Sequence, residues 1–354
     1  MKKLIKKSFI FLIPVIVIVA LTNYLVDPAH IFNDDYEKGM VEIIYSGNNI
    51  ANTGNYDERL FQKIYINKLS ERKNIIAIGS SRSMQIREEL FNGSFFNNSV
   101  SGAVLEDYIA ITQLYMINNK LPNKVILGID PWIFNMNHGQ TRWESLKENY
   151  RNFFKHNDLN DKKIPKESLL NTVFENNSFN LFSIKYFQES IRYLLSGNYY
   201  NEDYFSTKEK ALSSKIKLDD GSLVYGSDFR NADINEINNK AKNYLNGNIY
   251  SIENFKIIND TYVNQFEALV NFYKSKDIKV ILFLPPYNPI VYNYINNNPE
   301  YEMVEKVELY LKEFAYKNDI KIIGSYNPNK LNLNGDDFFD GMHPKGETII
   351  KLFN

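Results

Sequence analysis

The chain reads as an α/β protein, a three-layer α/β/α sandwich around a mainly parallel sheet. Three observations lead there. Short, continuous apolar runs end abruptly at Gly or Pro. Between them lie segments with helical spacing. The alternation occurs twice, on either side of a long irregular stretch, so one sheet is interrupted by an insertion after its third strand.

The elements follow in order. Ile75, Ile76, Ala77 and Ile78 form an unbroken apolar run closed by Gly79, as suits a strand buried on both faces. A helix is expected from about Arg82 to Leu90, and a second strand between Ser94 and Val100. From Leu105 to Asn118 the period is helical, with Leu105, Tyr108, Ile109, Leu114 and Tyr115 on one side. Lys124 to Ile129 makes the third strand, stopped by Asp130-Pro131. Regularity then lapses over about 132–252, a stretch rich in Asn, Tyr and charge that reads as an insertion or lid. Helical spacing returns there at Lys166–Phe174 and at Phe179–Leu195, the latter stopped by Gly197. Asp220-Gly221 marks a turn within a hairpin. The alternation resumes with an amphipathic helix over Phe255–Lys274, whose stripe is Ile258, Tyr262, Phe266, Leu269 and Tyr273. A strand over Val280–Leu284 ends at Pro285-Pro286, a helix covers Val304–Tyr316, and a fifth strand covers Ile320–Ile323. Ligands in such folds sit beyond the carboxyl ends of the strands.

The N-terminus stands apart from the sandwich. Lys2, Lys3, Lys6 and Lys7 precede an apolar run from Phe9 to about Leu25. About 17 residues at 1.5 Å each reach roughly 26 Å, enough for a bilayer core. The lysines favour a cytoplasmic tip, with everything after Val26 outside. A cleaved signal peptide needs a small-x-small site, and Leu21-Thr22-Asn23-Tyr24 offers none, so a retained anchor is the better reading. Residues 1–26 are thus expected as tip and membrane anchor. Residues 27–70 follow as a stalk with a lead-in helix over Asn55–Leu69, and the domain occupies 71–354. Asp27-Pro28 breaks the helix as it leaves the membrane.

Composition excludes several function classes. Basic and acidic residues number 41 and 42 among 354 residues, so no basic field gathers nucleic acid. There is no cysteine, hence no disulfide, thiolate metal site or cysteine nucleophile. The 25 Tyr and 24 Phe are explained as core filling, although aromatics also suit a sugar-binding surface. No cofactor or metal is implied, because the four histidines, at 30, 138, 156 and 343, are dispersed.

Gly79-Ser80-Ser81-Arg82 lies at the carboxyl end of the first strand, where a serine can attack a carbonyl beside free backbone N–H groups. A helix N-cap is the plainer role for such a serine. The end of the chain alters that balance. In Phe339-Asp340-Gly341-Met342-His343-Pro344 a carboxylate precedes a histidine by three residues in a turn. That spacing lets Asp340 hold one ring nitrogen of His343 while the other faces a nucleophile. The alternative is an ordinary surface loop.

With these blocks the sequence resembles the SGNH, or GDSL-like, hydrolases, a flavodoxin-like group of esterases and acyltransferases. The family's Gly-Asp-Ser block corresponds to Gly79-Ser80-Ser81, which makes Ser81 the nucleophile. Asn98-Ser99-Val100-Ser101-Gly102 matches the block whose glycine N–H joins that of the serine in the oxyanion hole, here Gly102 with Ser81. Asp340 and His343 meet the Asp-x-x-His block. The resemblance covers Ile75–Asp130 and Ile278 to the end. The third block departs. Where the family carries Gly-x-Asn-Asp, this chain has Gly128-Ile129-Asp130-Pro131, and an ionised Asp130 would repel an oxyanion. Either Asp130 is protonated, or it serves another purpose, or the hole is built differently, with Asn135 and Ser101 as compensating candidates. Asn98, Ser101, Asp130, Arg82 and Arg59 are the further site-lining candidates. The two arginines suit either an anionic group or a surface salt bridge. Arg230 is a candidate to reach the cleft from the insertion, and Trp132, His138 and Trp143 are candidates for a sugar platform.

The anchor, Gly-Ser-Ser, Gly-x-Asp-Pro-Trp and Leu284-Pro285-Pro286-Tyr287 together are similar to membrane-anchored SGNH proteins of envelope-polymer modification, the DltD-like and alginate-acetylation-like groups. That resemblance implies an acyl-enzyme on Ser81, a cell-surface polysaccharide or other acylated polymer as substrate, and a membrane-bound O-acyltransferase as partner. The alternatives are a catalytically silent scaffold and a polysaccharide-binding partner of such an acyltransferase.

Overall fold

The computed structural model describes residues 2–27, 32, 34–156, 181–195 and 204–354, with the backbone alone for residues 2–11. The expected helix over 166–174, Gly197, Pro28 and His30 lie outside the described residues.

Nine strands are formed by the described residues: β1 (Asn49–Ala51), β2 (Ile75–Ile78), β3 (Phe95–Asn97), β4 (Lys124–Gly128), β5 (Phe205–Thr207), β6 (Ile216–Lys217), β7 (Leu223–Val224), β8 (Lys279–Leu284) and β9 (Lys321–Gly324). Five make one sheet in the order β3-β2-β4-β8-β9, every neighbouring pair parallel. Counted within that sheet the order is 2-1-3-4-5, so it reverses between β2 and β4 and opens a crevice beyond their carboxyl ends. The five strands expected from sequence are these five.

Alternate side chains separate two apolar clusters, as the period of two requires. Ile76, Ile78, Val125, Leu127, Leu282 and Leu284 join the large core beneath the helices Leu105–Ile117, Asp260–Ser275 and Met303–Asn318. Ile75, Ala77, Ile126, Ile281, Phe283 and Ile323 face a smaller cluster closed by Ile86 and by Ile349 of the C-terminal helix Gly346–Phe353. Both faces are covered, unequally.

Two expectations change. No single helix spans Arg82–Leu90; two short 3₁₀ turns, Ser81–Ser83 and Glu88–Leu90, stand there. The reason is tertiary: Leu223 N–H donates to the Met84 carbonyl at 2.9 Å and the Gln85 amide to that of Leu223 at 2.6 Å, so the intervening backbone is taken up by β7. The stretch expected as a stalk enters the domain from Asp35 onward. Met40, Val41 and Ile44 of the helix Asp35–Tyr45, and Phe61, Tyr65 and Ile66 of the helix Glu58–Lys68, lie in the main core. β1 then pairs antiparallel with β5 and β6 of the insertion, giving a second sheet in the order β5-β1-β6-β7. At the N-terminus Lys2–Val26 is one continuous 25-residue helix containing Pro14. Among the described residues no helix is long and apolar enough to cross a membrane.

Candidate active site

The crevice at the reversal of the sheet is shaped by its smallest residues. A Cβ on Gly128 would stand 2.9 Å from Ser83 Cβ, and one on Gly79 2.8 Å from the same atom. Without side chains there, the ends of β2 and β4 close around Ser83, and the chain turns at once into Ser81–Ser83.

The two adjacent serines fall on opposite sides of that turn. Ser80 is fully buried and caps it, its Oγ accepting from Arg82 N–H at 3.1 Å. Ser81 is half-buried, and its Oγ lies 2.9 Å from Nε2 of His343. Nδ1 of His343 lies 2.8 Å from Oδ2 and 3.0 Å from Oδ1 of Asp340. The loop that holds the pair is closed by a bridge between Phe338 and Pro344, and Phe339 N–H donates to the His343 carbonyl at 2.9 Å. Within it Asp340 Oδ1 accepts from the N–H groups of Met342 and His343 at 2.8 and 2.9 Å. Burial pushes the Asp340 carboxyl upward, but the His343 charge and these hydrogen bonds outweigh it and hold the pKa down at about 2. Asp340 is therefore ionised and orients the imidazole.

Arg82 ties the site together from beneath, and is neither exposed nor aimed at a ligand. Its fully buried guanidinium pairs with Asp130 at 2.7 Å, donates to the carbonyls of Met342 at 3.0 Å and Pro285 at 2.6 Å, and lies 3.9 Å from the centre of the Tyr287 ring. One side chain thus joins the Ser81 turn, the end of β4, the end of β8 and the His343 loop. Burial raises the Asp130 carboxyl above its ordinary range, and the Arg82 charge offsets only part of that rise. The ion pair works against that rise, since protonation would leave a buried guanidinium without counter-charge. Asp130 is thus the fully buried partner of Arg82.

That cleft encloses about 490 Å³ and is lined by Ser81, Ser101, Arg59, Glu58, Arg142 and Tyr225, among others. Arg59 is buried and held in two-point contact by Asp107, Nε and Nη2 each 2.8 Å from a carboxylate oxygen, and it also donates to the Ser101 carbonyl at 3.2 Å. It braces the Ser101 loop and is not a surface salt bridge. Ser101 is bound through both N–H and hydroxyl to Glu58. Gly102 has a left-handed φ of 59°, and a Cβ there would fall 2.1 Å from the Tyr250 hydroxyl and 2.7 Å from Arg142 Nη2.

Several sequence candidates are structural. Asn98 is buried between Gln62 and the Tyr115 hydroxyl, at 2.7 and 2.8 Å. Asn135 is buried and donates to the Ser251 carbonyl at 2.9 Å. Arg230 donates to the carbonyls of Tyr225 and Leu212 at 2.8 and 2.7 Å. Trp132 and His138 are buried, the first donating to the Ala103 carbonyl at 2.8 Å, and Trp143 packs edge-on against Tyr150, so the three form no exposed platform. Sequence reasoning passed over Tyr225, whose ring lies 5.9 Å from that of His343. Its position just after the Asp220-Gly221 hairpin was the available signal. Arg142, Tyr250 and Glu58 gave none.

Among the described residues no group of three or more His, Asp or Glu side chains is arranged to hold a metal ion. No family model, curated protein or solved structure matches this chain.

Proposed function

We propose that the chain is a serine esterase or acyltransferase that works through an acyl-enzyme on Ser81. The observation that carries this reading is the relay from Ser81 Oγ through His343 to an ionised Asp340. His343 Nε2 takes the Ser81 proton as Oγ attacks the ester carbonyl. The N–H groups of Ser81 and Gly102 receive the oxyanion, and His343 returns the proton to the leaving alcohol. Water or a sugar hydroxyl then repeats the sequence against the acyl-enzyme. A positioned base and an oxyanion hole each supply on the order of two to four decades in rate.

The finer reading is a flavodoxin-like SGNH enzyme of the cell envelope. In it Lys2–Val26 is a single-pass anchor with its N-terminus cytoplasmic, and the domain acts outside on an acylated polysaccharide beside a membrane-bound O-acyltransferase. The strand order, the position of Ser81 after the first strand of the parallel sheet and the Asp-x-x-His loop support the family. The apolar run with its flanking lysines supports the location. A silent scaffold draws its case from a carboxylate facing the oxyanion; the Arg82–Asp130 pair supports catalysis over that reading by giving the carboxylate a cationic partner.

A fluorophosphonate tests the chemistry directly. Full-length protein should be labelled covalently, Ser81→Ala should abolish labelling, and Ser80→Ala should retain it. Labelling that persists in Ser81→Ala would reject the assignment.

A further inference from the structure

The insertion contributes a helix, Ile184–Leu195, that is built inside out. It packs on the helix Lys2–Val26 through polar groups. Asn23, fully buried, donates to the carbonyls of Leu181 and Ser183 at 2.9 and 3.0 Å and receives the Ser190 hydroxyl at 3.4 Å. The Tyr186 hydroxyl donates to the Asp27 carboxylate at 2.6 Å. Tyr186 and Ser190, four residues apart, share one face of the insertion helix. Its apolar residues occupy a neighbouring face: Ile184, Phe187, Ile191, Leu194 and Leu195 fall on one stripe at spacings of three and four. Much of that stripe stays open, with Phe187 and Ile191 half-buried. Ile184 is 68%, Leu194 44% and Leu195 81% exposed, and Phe182 just before the helix is 54% exposed.

The N-terminal helix has the same character. Val19, Asn23 and Val26 lie on its shielded side, while Leu12, Ile13, Val15, Ile18, Leu21 and Leu25 are 52–68% exposed. In water a helix pair buries its apolar stripes and exposes its polar groups. Here the hydrogen-bonding groups sit in the contact and the most exposed side chains are apolar, which is the arrangement that hydrocarbon rewards. The polar side of the insertion helix, with Lys185, Gln188, Glu189 and Arg192 all exposed, suits the water and headgroup side of an interface.

We propose that the helix Ile184–Leu195 lies in the bilayer interface with its apolar stripe on lipid. Asn23 and Asp27 lock it to the helix Lys2–Val26. The occupant of the exposed face is therefore the membrane surface. The proposal rests on the reading of Lys2–Val26 as a membrane anchor. It gives the domain a second attachment, so that the cleft is held at one height and orientation above the bilayer.

The absence of cysteine makes the test clean. Single variants Leu195→Cys and Ile184→Cys probe the stripe, Glu189→Cys the polar face and Val17→Cys the N-terminal helix. Each is made in the full chain, labelled with an environment-sensitive fluorophore and reconstituted in phosphatidylcholine–phosphatidylglycerol vesicles with or without nitroxide-labelled lipid. Positions 17, 184 and 195 should shift to the blue and lose most of their emission to the nitroxide, while position 189 should lose little. Quenching at 17 without quenching at 184 and 195 would overturn the proposal and leave the anchor standing. Absence of quenching at all four positions would overturn both. Equal quenching at 189 and 195 would also reject it, because the face would then not be selective.

Discussion

Ser80 and Ser81 are chemically identical and one position apart, yet burial and partners separate them: the first caps a turn, the second meets His343. Asp340 shows the same dependence on surroundings. In the folded chain it ionises at about 2 against an ordinary 3.8, so folding favours its charged form. The stabilisation is complete above pH ~4, where the unfolded chain is also ionised, and is lost as pH falls toward about 2. It amounts to about 2 kcal/mol. Urea midpoints of wild type and Asp340→Asn should differ at pH 6 and converge on acidification; a constant difference would mean that the carboxylate is not held low. For Asp130 the outcome is a loss of stability. Replacing it with Asn leaves the Arg82 charge buried and uncompensated, at a cost of about 3–5 kcal/mol. Chemical denaturation of Asp130→Asn should show that loss, and faster ester hydrolysis in this variant would instead place Asp130 at the oxyanion.

At the level of elements, the ends of β2 and β4 are fitted to one small side chain. Gly128→Ala would place a Cβ 1.9 Å from Ser83 Oγ and 2.9 Å from Ser83 Cβ. Rotation of the hydroxyl relieves the first contact but not the second, so the Ser81 turn must move. A displacement near 1 Å costs a reaction on the order of a hundredfold. Fluorophosphonate labelling of Gly128→Ala should slow by about that factor, and Ser83→Gly in the same chain should restore much of it. Failure of the second change to rescue would locate the damage elsewhere. The helix expected over Arg82–Leu90 yields to the same neighbourhood: spacing alone allowed a helix, but β7, remote in sequence, claims the backbone at Met84.

The whole molecule depends on residues that precede its recognisable motifs. Met40, Val41, Ile44, Phe61, Tyr65 and Ile66 are all buried in the main core. At roughly 1.5–3 kcal/mol each, their removal matches or exceeds the ~5–15 kcal/mol that holds a typical domain together. A truncation that begins at residue 34 should unfold cooperatively and keep Ser81 reactive. One that begins at residue 70 should fail to fold, by circular dichroism and by loss of a sharp transition. A folded, labelled 70–354 chain would show that the first two helices and β1 are accessory.

The parallel sheet was legible in the chain because its central strands are covered on both faces, and such strands are written as unbroken apolar runs: Ile75–Ile78, Val125–Leu127, Val280–Leu284. The Asp340–His343 pair was legible because its contact is local, three residues across one turn. The separate roles of Ser80 and Ser81, the partner of Asp130, the inward course of Arg59 and Arg82, and the union of β1 with β5 and β6 were decided by tertiary structure. Each rests on a contact between residues far apart in sequence, 48 between Arg82 and Asp130 and 262 between Ser81 and His343. No local periodicity records such a contact. A buried arginine and an exposed one are spelled alike, and only the packing around them tells which charge must be matched.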